Sequence, residues 1–178
     1  MHFEILIEDQ SGGKAMEILF PKLLQGEITF RIHPYKGIGR IPKGLKPSGD
    51  ANKRILLSQL PRLLQGYGKV PDCGTIIVIC DLDNKEKKQF LSELNNVLNA
   101  CNPKPETFFF VAIEEFEAWY LGDFNAIRKV YPHVKNSVLS TYTNDSICGT
   151  WELLADAVYK GGHKTLLKKA GRLSGSKR

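Results

Sequence analysis

The chain has no long apolar run. Nothing in its 178 residues approaches the roughly 20 consecutive apolar residues of a membrane-spanning helix, so no membrane partner is expected. The start, MHFEILIEDQ, lacks a basic region followed by an apolar core, and a secretory leader is not expected. Cysteine is sparse and scattered. Cys73, Cys80, Cys101 and Cys148 form no close pair, which excludes zinc-site spacing and argues against a disulfide framework. Reduced thiols and a cytoplasmic location are the expectation. No internal repeat and no domain linker is visible, so residues 1–178 are expected to form one domain. A chain of that length buries roughly two-thirds of its unfolded surface.

What is present is ordinary in bulk and informative in distribution. Hydrophobic residues make up 42% and charged residues 25%, with a net charge of +6. The bases concentrate in two places. One is a Gly/Pro/Lys-rich loop, 35–50, continuing to residue 54, with Lys36, Arg40, Lys43, Lys46, Lys53 and Arg54 against the single acid Asp50. The other is a tail, 160–178, that includes Lys164 and Lys168 and contains no acid. Segregated bases of this kind suit a polyanion such as the nucleic-acid backbone.

Two short apolar runs each end in carboxylates. Phe3-Glu4-Ile5-Leu6-Ile7 delivers Glu8-Asp9, and Thr75 to Cys80 delivers Asp81-Leu82-Asp83. Runs this short and aliphatic read as buried parallel strands. Ligands of open α/β sheets bind beyond the carboxyl ends of such strands. If the two strands are neighbours, their acids converge there, and hard oxygen donors suit Mg²⁺ or Mn²⁺. Alternation along an extended segment would point Asp81 and Asp83 the same way. The same acids could instead close strands and cap the following helix, with Asp83-Asn84 preceding one.

The remaining pattern alternates strands and helices, which predicts an α/β fold with a mostly parallel central sheet and helices on both faces. After a Gln10–Gly13 turn, a helix is expected over Lys14–Leu24 with Ala15, Ile18, Leu19 and Leu23 as its apolar positions. A strand follows over Glu27–Ile32. A helix over Ala51–Gln65 should be kinked or split by Pro61. Lys85–Ala100 is amphipathic. Thr107–Ala112 reads as a strongly buried strand, and Ile113–Trp119 as a helix start carrying Glu114, Glu115 and Glu117 in its first turn. Asp123 should cap a short helix to Tyr131, and Trp151–Lys169 should be helical with a break at Gly161-Gly162.

Gly12 and Gly13 could let a phosphate approach, with Lys14 holding it. The segment is not a Walker A loop, because its first glycine is missing and Ala15 replaces Ser/Thr. Glu114 could complete a second cation site, although acids are also favoured at helix starts by the helix dipole.

Taken in order, these residues resemble the Toprim fold of topoisomerases, primases and OLD-type nucleases. That superfamily places a Glu after its first strand and Asp-x-Asp after a later one, matching Glu8 and Asp81/Asp83. The chain is more closely similar to a small uncharacterised Toprim-like family, often encoded beside an AAA-type ATPase in defence-like gene pairs. The passages carrying that likeness are ILIEDQSGGKAMEILFPKLL, IIVICDLDN, IEEFEAWYLGD and TWELLADAVYKGGHK. Gln10 stands where the superfamily usually has a glycine, two residues after the Glu, and the resemblance implies a further helix where this chain reads GRLSGSKR.

The resemblance implies a metal-dependent nuclease using Glu8, Asp81 and Asp83 as catalytic groups and metal ligands; Glu114 is a further candidate metal ligand from its place after the third buried strand. An ATPase partner is implied with it, and self-association is compatible with it. A catalytically silent module regulating such a partner is one alternative. Another is a receiver-like phosphoacceptor switch, which would need a hydroxyl residue and a Lys after later strands where Glu114-Glu115 stand.

Overall fold

The computed structural model describes residues 1–24, 26–45, 51–146 and 149–175. The chain divides into two compact units, Met1–Ala112 and Ile113–Arg178. The first unit is α/β. Strands β1 (His2–Ile7), β2 (Thr29–Pro34), β3 (Thr75–Asp81) and β4 (Thr107–Ala112) form one sheet in the order β2-β1-β3-β4. All neighbours are parallel, with Ile7 beside both Pro34 and Ile79, and Asp81 beside Ala112. Helices α1 (Gln10–Leu23), α2 (Leu56–Gly68) and α3 (Lys87–Asn99) make the crossovers. The predicted α/β class and parallel sheet are therefore what the first unit shows.

Residue alternation sorts the strand side chains onto two faces. Leu6, Ile76 and Val78 meet Leu56, Leu60 and Leu64 of α2 and Phe90, Leu94 and Val97 of α3, all of them buried. Each such side chain contributes about 1.5–3 kcal/mol when fully removed from water. On the opposite face α1 lies so close to the strands that a Cβ on Gly12 would stand 2.9 Å from Ile7 Cδ1, and one on Gly13 2.9 Å from Pro34 Cβ.

That close approach corrects the expected phase of α1. Gly12 and Gly13 belong to its first turns, and the helix starts at Gln10 because Asp9 caps it by accepting from the Gly12 N–H at 2.6 Å. Its buried residues are Gly12, Gly13 and Met16, while Ile18 and Leu23 are more than half exposed. Three further boundaries move. Helix α2 continues as one element through Pro61. Helix α3 is capped by Glu86, which accepts from the Lys88 and Gln89 N–H groups, and not by Asp83-Asn84. β4 is an edge strand whose Phe108 and Phe110 are 51% and 56% exposed, so it is not strongly buried.

The second unit is helical. It contains α4 (Ala118–Leu121), α5 (Phe124–Val130), α6 (Asn136–Leu139), α7 (Thr150–Val158) and α8 (Gly162–Gly175), with Leu121, Ile127, Val134, Leu139 and Ala157 in its core. Asp123 caps α5 as expected, and the break before α8 falls at Gly161, where φ is +93°. No helix among the described residues is long and apolar enough to cross a membrane.

Candidate functional site

Glu8 is the first residue beyond β1, and its neighbours come from three directions. Its own N–H donates to Ile79 O of β3 at 3.1 Å. The Asp81 N–H returns the link, donating to Glu8 Oε2 at 3.0 Å. Gly37 N–H donates to the Glu8 carbonyl at 2.9 Å, which brings the start of the basic loop onto the same sheet edge. Gly37 has φ +125°, a conformation glycine adopts without a Cβ penalty. Glu8 and Asp81 thus both stand at the carboxyl edge of adjacent central strands, linked through the Asp81 backbone.

The electrostatics of this edge are those of crowded acids. Burial pushes the Glu8 carboxyl above the usual range. The Asp81 N–H bond opposes that, and the negative charges of Asp83 and Asp9 add to it. Cys80, buried beside them, is pushed up to about 12, first by burial and then by the charges of Glu8 and Asp81. It is a neutral thiol at physiological pH and no nucleophile.

Asp83 and Asp9 stand differently from the sequence expectation. β3 ends at Asp81, and Asp83 takes φ +49°, so strand alternation does not carry to it. A non-glycine residue in that region is sparsely populated and is found most often at functional sites and turns. Its Oδ2 accepts from Lys85 Nζ at 3.1 Å. Asp9 spends Oδ1 on the Gly12 N–H and on the Ser11 hydroxyl at 2.8 Å. The Gly12-Gly13 pair therefore serves close helix–strand packing, and its first donor is already taken by Asp9. Lys85 and Gly37 were not singled out in the sequence. The Gly-rich start of the loop was the only signal for the second, and Lys85 had none.

Among the described residues, no group of three or more His, Cys, Asp or Glu side chains is arranged to hold a metal ion. The donors themselves fit a hard divalent cation. They are carboxylate oxygens, and Lys85 pairs with Asp83 among them. Mg²⁺ commonly takes one or two carboxylates and completes its shell with water and substrate phosphate, so a ready-made cage is not required.

Glu114 belongs to the second unit. It is buried and accepts from the Tyr142 hydroxyl. Glu115 accepts from the Thr150 hydroxyl at 3.1 Å and the Trp151 N–H at 2.9 Å, and so caps α7. These acids precede α4, which starts at Ala118, and do not occupy its first turn.

Of the bases, Lys14, Lys36, Arg40, Lys43 and Lys53 are exposed. Arg54 is engaged, donating to Pro34 O at 2.7 Å and lying 5.7 Å from the Tyr35 ring centroid. Lys164 and Lys168 are exposed on α8 of the second unit. Lys46 lies outside the described residues. Cys73, Cys80 and Cys101 are unpaired.

A second polar cluster went unread in the sequence. Glu4, in the middle of β1, is buried, and its two oxygens meet His2 Nε2 at 3.2 Å and His33 Nε2 of β2, with the Tyr67 hydroxyl 3.5 Å away. Burial works against its charge, but the bonds to His33 and His2 and the charge of Arg31 outweigh that and hold its carboxyl below the usual range. The signal was His2-x-Glu4, an i, i+2 pair on one strand face.

Comparison of the chain with protein-family profiles, curated proteins and solved structures finds no match.

Proposed function

We propose that the first unit is a Mg²⁺- or Mn²⁺-dependent nuclease that cleaves phosphodiester bonds of nucleic acid at the carboxyl edge of β1 and β3. One observation carries the reading: the Asp81 backbone N–H bonds Glu8 Oε2 at 3.0 Å, which sets the Glu8 carboxylate against the end of β3 at the edge where open α/β sheets bind ligands. The Gly37 contact supports it by tethering to Glu8 the backbone of a loop that carries exposed Lys36 and Arg40, cations of the kind that hold a phosphate backbone. Glu8 and Asp81 would hold the ion, which supplies charge stabilisation at a phosphoryl oxygen. Asp83 would join them on leaving Lys85. In place of a ligand role, Glu8 would accept a proton from an attacking water.

The Toprim resemblance adds an ATPase partner to this proposal, and the scattered cysteines add a reducing cytoplasmic setting. A catalytically silent module is the second reading, favoured by the Lys85–Asp83 pair, which already satisfies one acid. Incubation of the full chain with labelled single- and double-stranded DNA and RNA, with and without Mn²⁺, tests both. Metal-dependent cleavage lost in Asp81→Asn supports the nuclease. No cleavage of any substrate, with unchanged thermal stability on adding Mn²⁺, rules it out.

A further inference from the structure

The second unit carries a concavity of about 510 Å³ that plays no part in the site just described. Its walls are the rings of Trp119, Tyr120 and Tyr131, and Ile127 and Leu154 belong to its aliphatic lining. The volume lies within the range of small-ligand pockets, roughly 300–1,000 Å³. All three rings are close to half exposed, at 51%, 45% and 47%. Two of them are nonetheless fixed in orientation. The buried Phe116 packs against Trp119 at a centroid distance of 4.8 Å and against Tyr120 at 5.7 Å, the second edge-on at 74°. Large rings that are anchored on one side and open on the other present π-faces with little rotamer freedom left to lose on binding.

The one acid in the lining, Asp123, is engaged through Oδ1 by the Asn125 and Ala126 N–H groups at 2.9 and 3.0 Å. The last turn of α5 carries Arg128 and Lys129. Lys129 is exposed and follows the lining residue Ala126 by three positions, which places it on the adjoining helix face. Fixed aromatic faces beside a cation are the components with which single-stranded nucleic acid is held: bases stack and the backbone phosphate is neutralised.

We propose that this pocket binds an unpaired nucleobase held against the rings of both Trp119 and Tyr131, with its phosphate at Lys129. The substrate of the chain is then a single strand or a single-stranded end. A duplex keeps its bases paired and stacked and has no free face to offer. The identity of the polymer rests on the nuclease reading; the stacking does not need the metal.

Trp119 reports the event directly. In a Trp151→Phe background Trp119 is the sole tryptophan, because the chain has two. Its fluorescence is followed in EDTA while oligo-dT, oligo-rU or a duplex of the same length is added, and cleavage is measured separately with Mn²⁺. Single strands quench Trp119 saturably and duplex does not. Tyr131→Ala weakens the single-strand affinity about 5-fold or more, and Tyr131→Phe leaves it unchanged. The unmutated chain, followed by anisotropy of labelled oligonucleotide, shows the same preference and guards against a folding defect in the variants. Equal response to duplex, or binding indifferent to Tyr131→Ala, overturns the proposal. So does association of the chain with itself that Tyr131→Ala abolishes, with no oligonucleotide response. Cleavage without a Trp119 response leaves the nuclease standing and removes the base pocket. Quenching without cleavage does the reverse.

Discussion

Glu4 lies within β1 and Glu8 directly beyond its end, four residues apart, yet their surroundings push them in opposite directions. Glu4 is met by two imidazoles and lies in the field of Arg31, and its carboxyl is held low. Glu8 is met by a single backbone N–H, with acids as its nearest charged company, and its carboxyl is pushed high. Both are costly to bury. The first has its cost offset inside the fold and serves architecture, tying β1 to the edge strand β2. The second is left short of positive charge, and an acid in that condition is one that can bind a cation or take up a proton.

The sharpest way to break this contrast is by activity. Glu8→Gln and Asp81→Asn are each expected to lower metal-dependent cleavage by about 100-fold or more, while Glu4→Gln, compared at a temperature where it remains folded, keeps cleavage within a few-fold. Equal losses in all three would mean that Glu8 is structural too.

Stability should rank them the other way. Glu4→Gln removes charge-assisted bonds to two imidazoles and is expected to cost about 2–3 kcal/mol in denaturant unfolding. Glu8→Gln relieves repulsion and leaves the chain at least as stable as before. The pH dependence follows with opposite signs. Because the Glu4 carboxyl is depressed in the folded chain, its contribution is present above the ordinary carboxylate pKa and fades as pH falls through the lower folded value. Glu8 is raised, so its contribution is full below the ordinary value and is lost as pH rises through the higher folded one. Melting temperatures of the two variants measured from pH 3 to 7 should therefore diverge from the native curve in opposite senses. The smallest effect belongs to Lys85→Met. The partly exposed ion pair with Asp83 is worth under about 1 kcal/mol, and its loss should tighten Mn²⁺ binding, read as a larger melting shift on adding the ion.

Much of the first unit was legible because local signals agreed there. The apolar runs of β1 and β3 end in acids where the sheet ends, and β4 matches the predicted residues. The phase of α1 was not legible, since it depends on Ile7 and Pro34 leaving no room for a Cβ at Gly12 and Gly13. Glu115 reads as an acid at a helix start, but the helix it caps is α7, thirty-five residues on. Glu4 was hidden inside an apolar run, and only the chain's return through His33 explains why a charge is tolerated there. Side chains that answer distant elements cannot be read from their neighbours in sequence.

The chain leaves the sheet at Ala112, the register partner of Asp81, and the Ala112 carbonyl accepts from the Leu82 N–H at 2.8 Å. Every force transmitted along the backbone from residue 113 onward reaches the sheet through that peptide. The first rung it loads is the one immediately after Asp81.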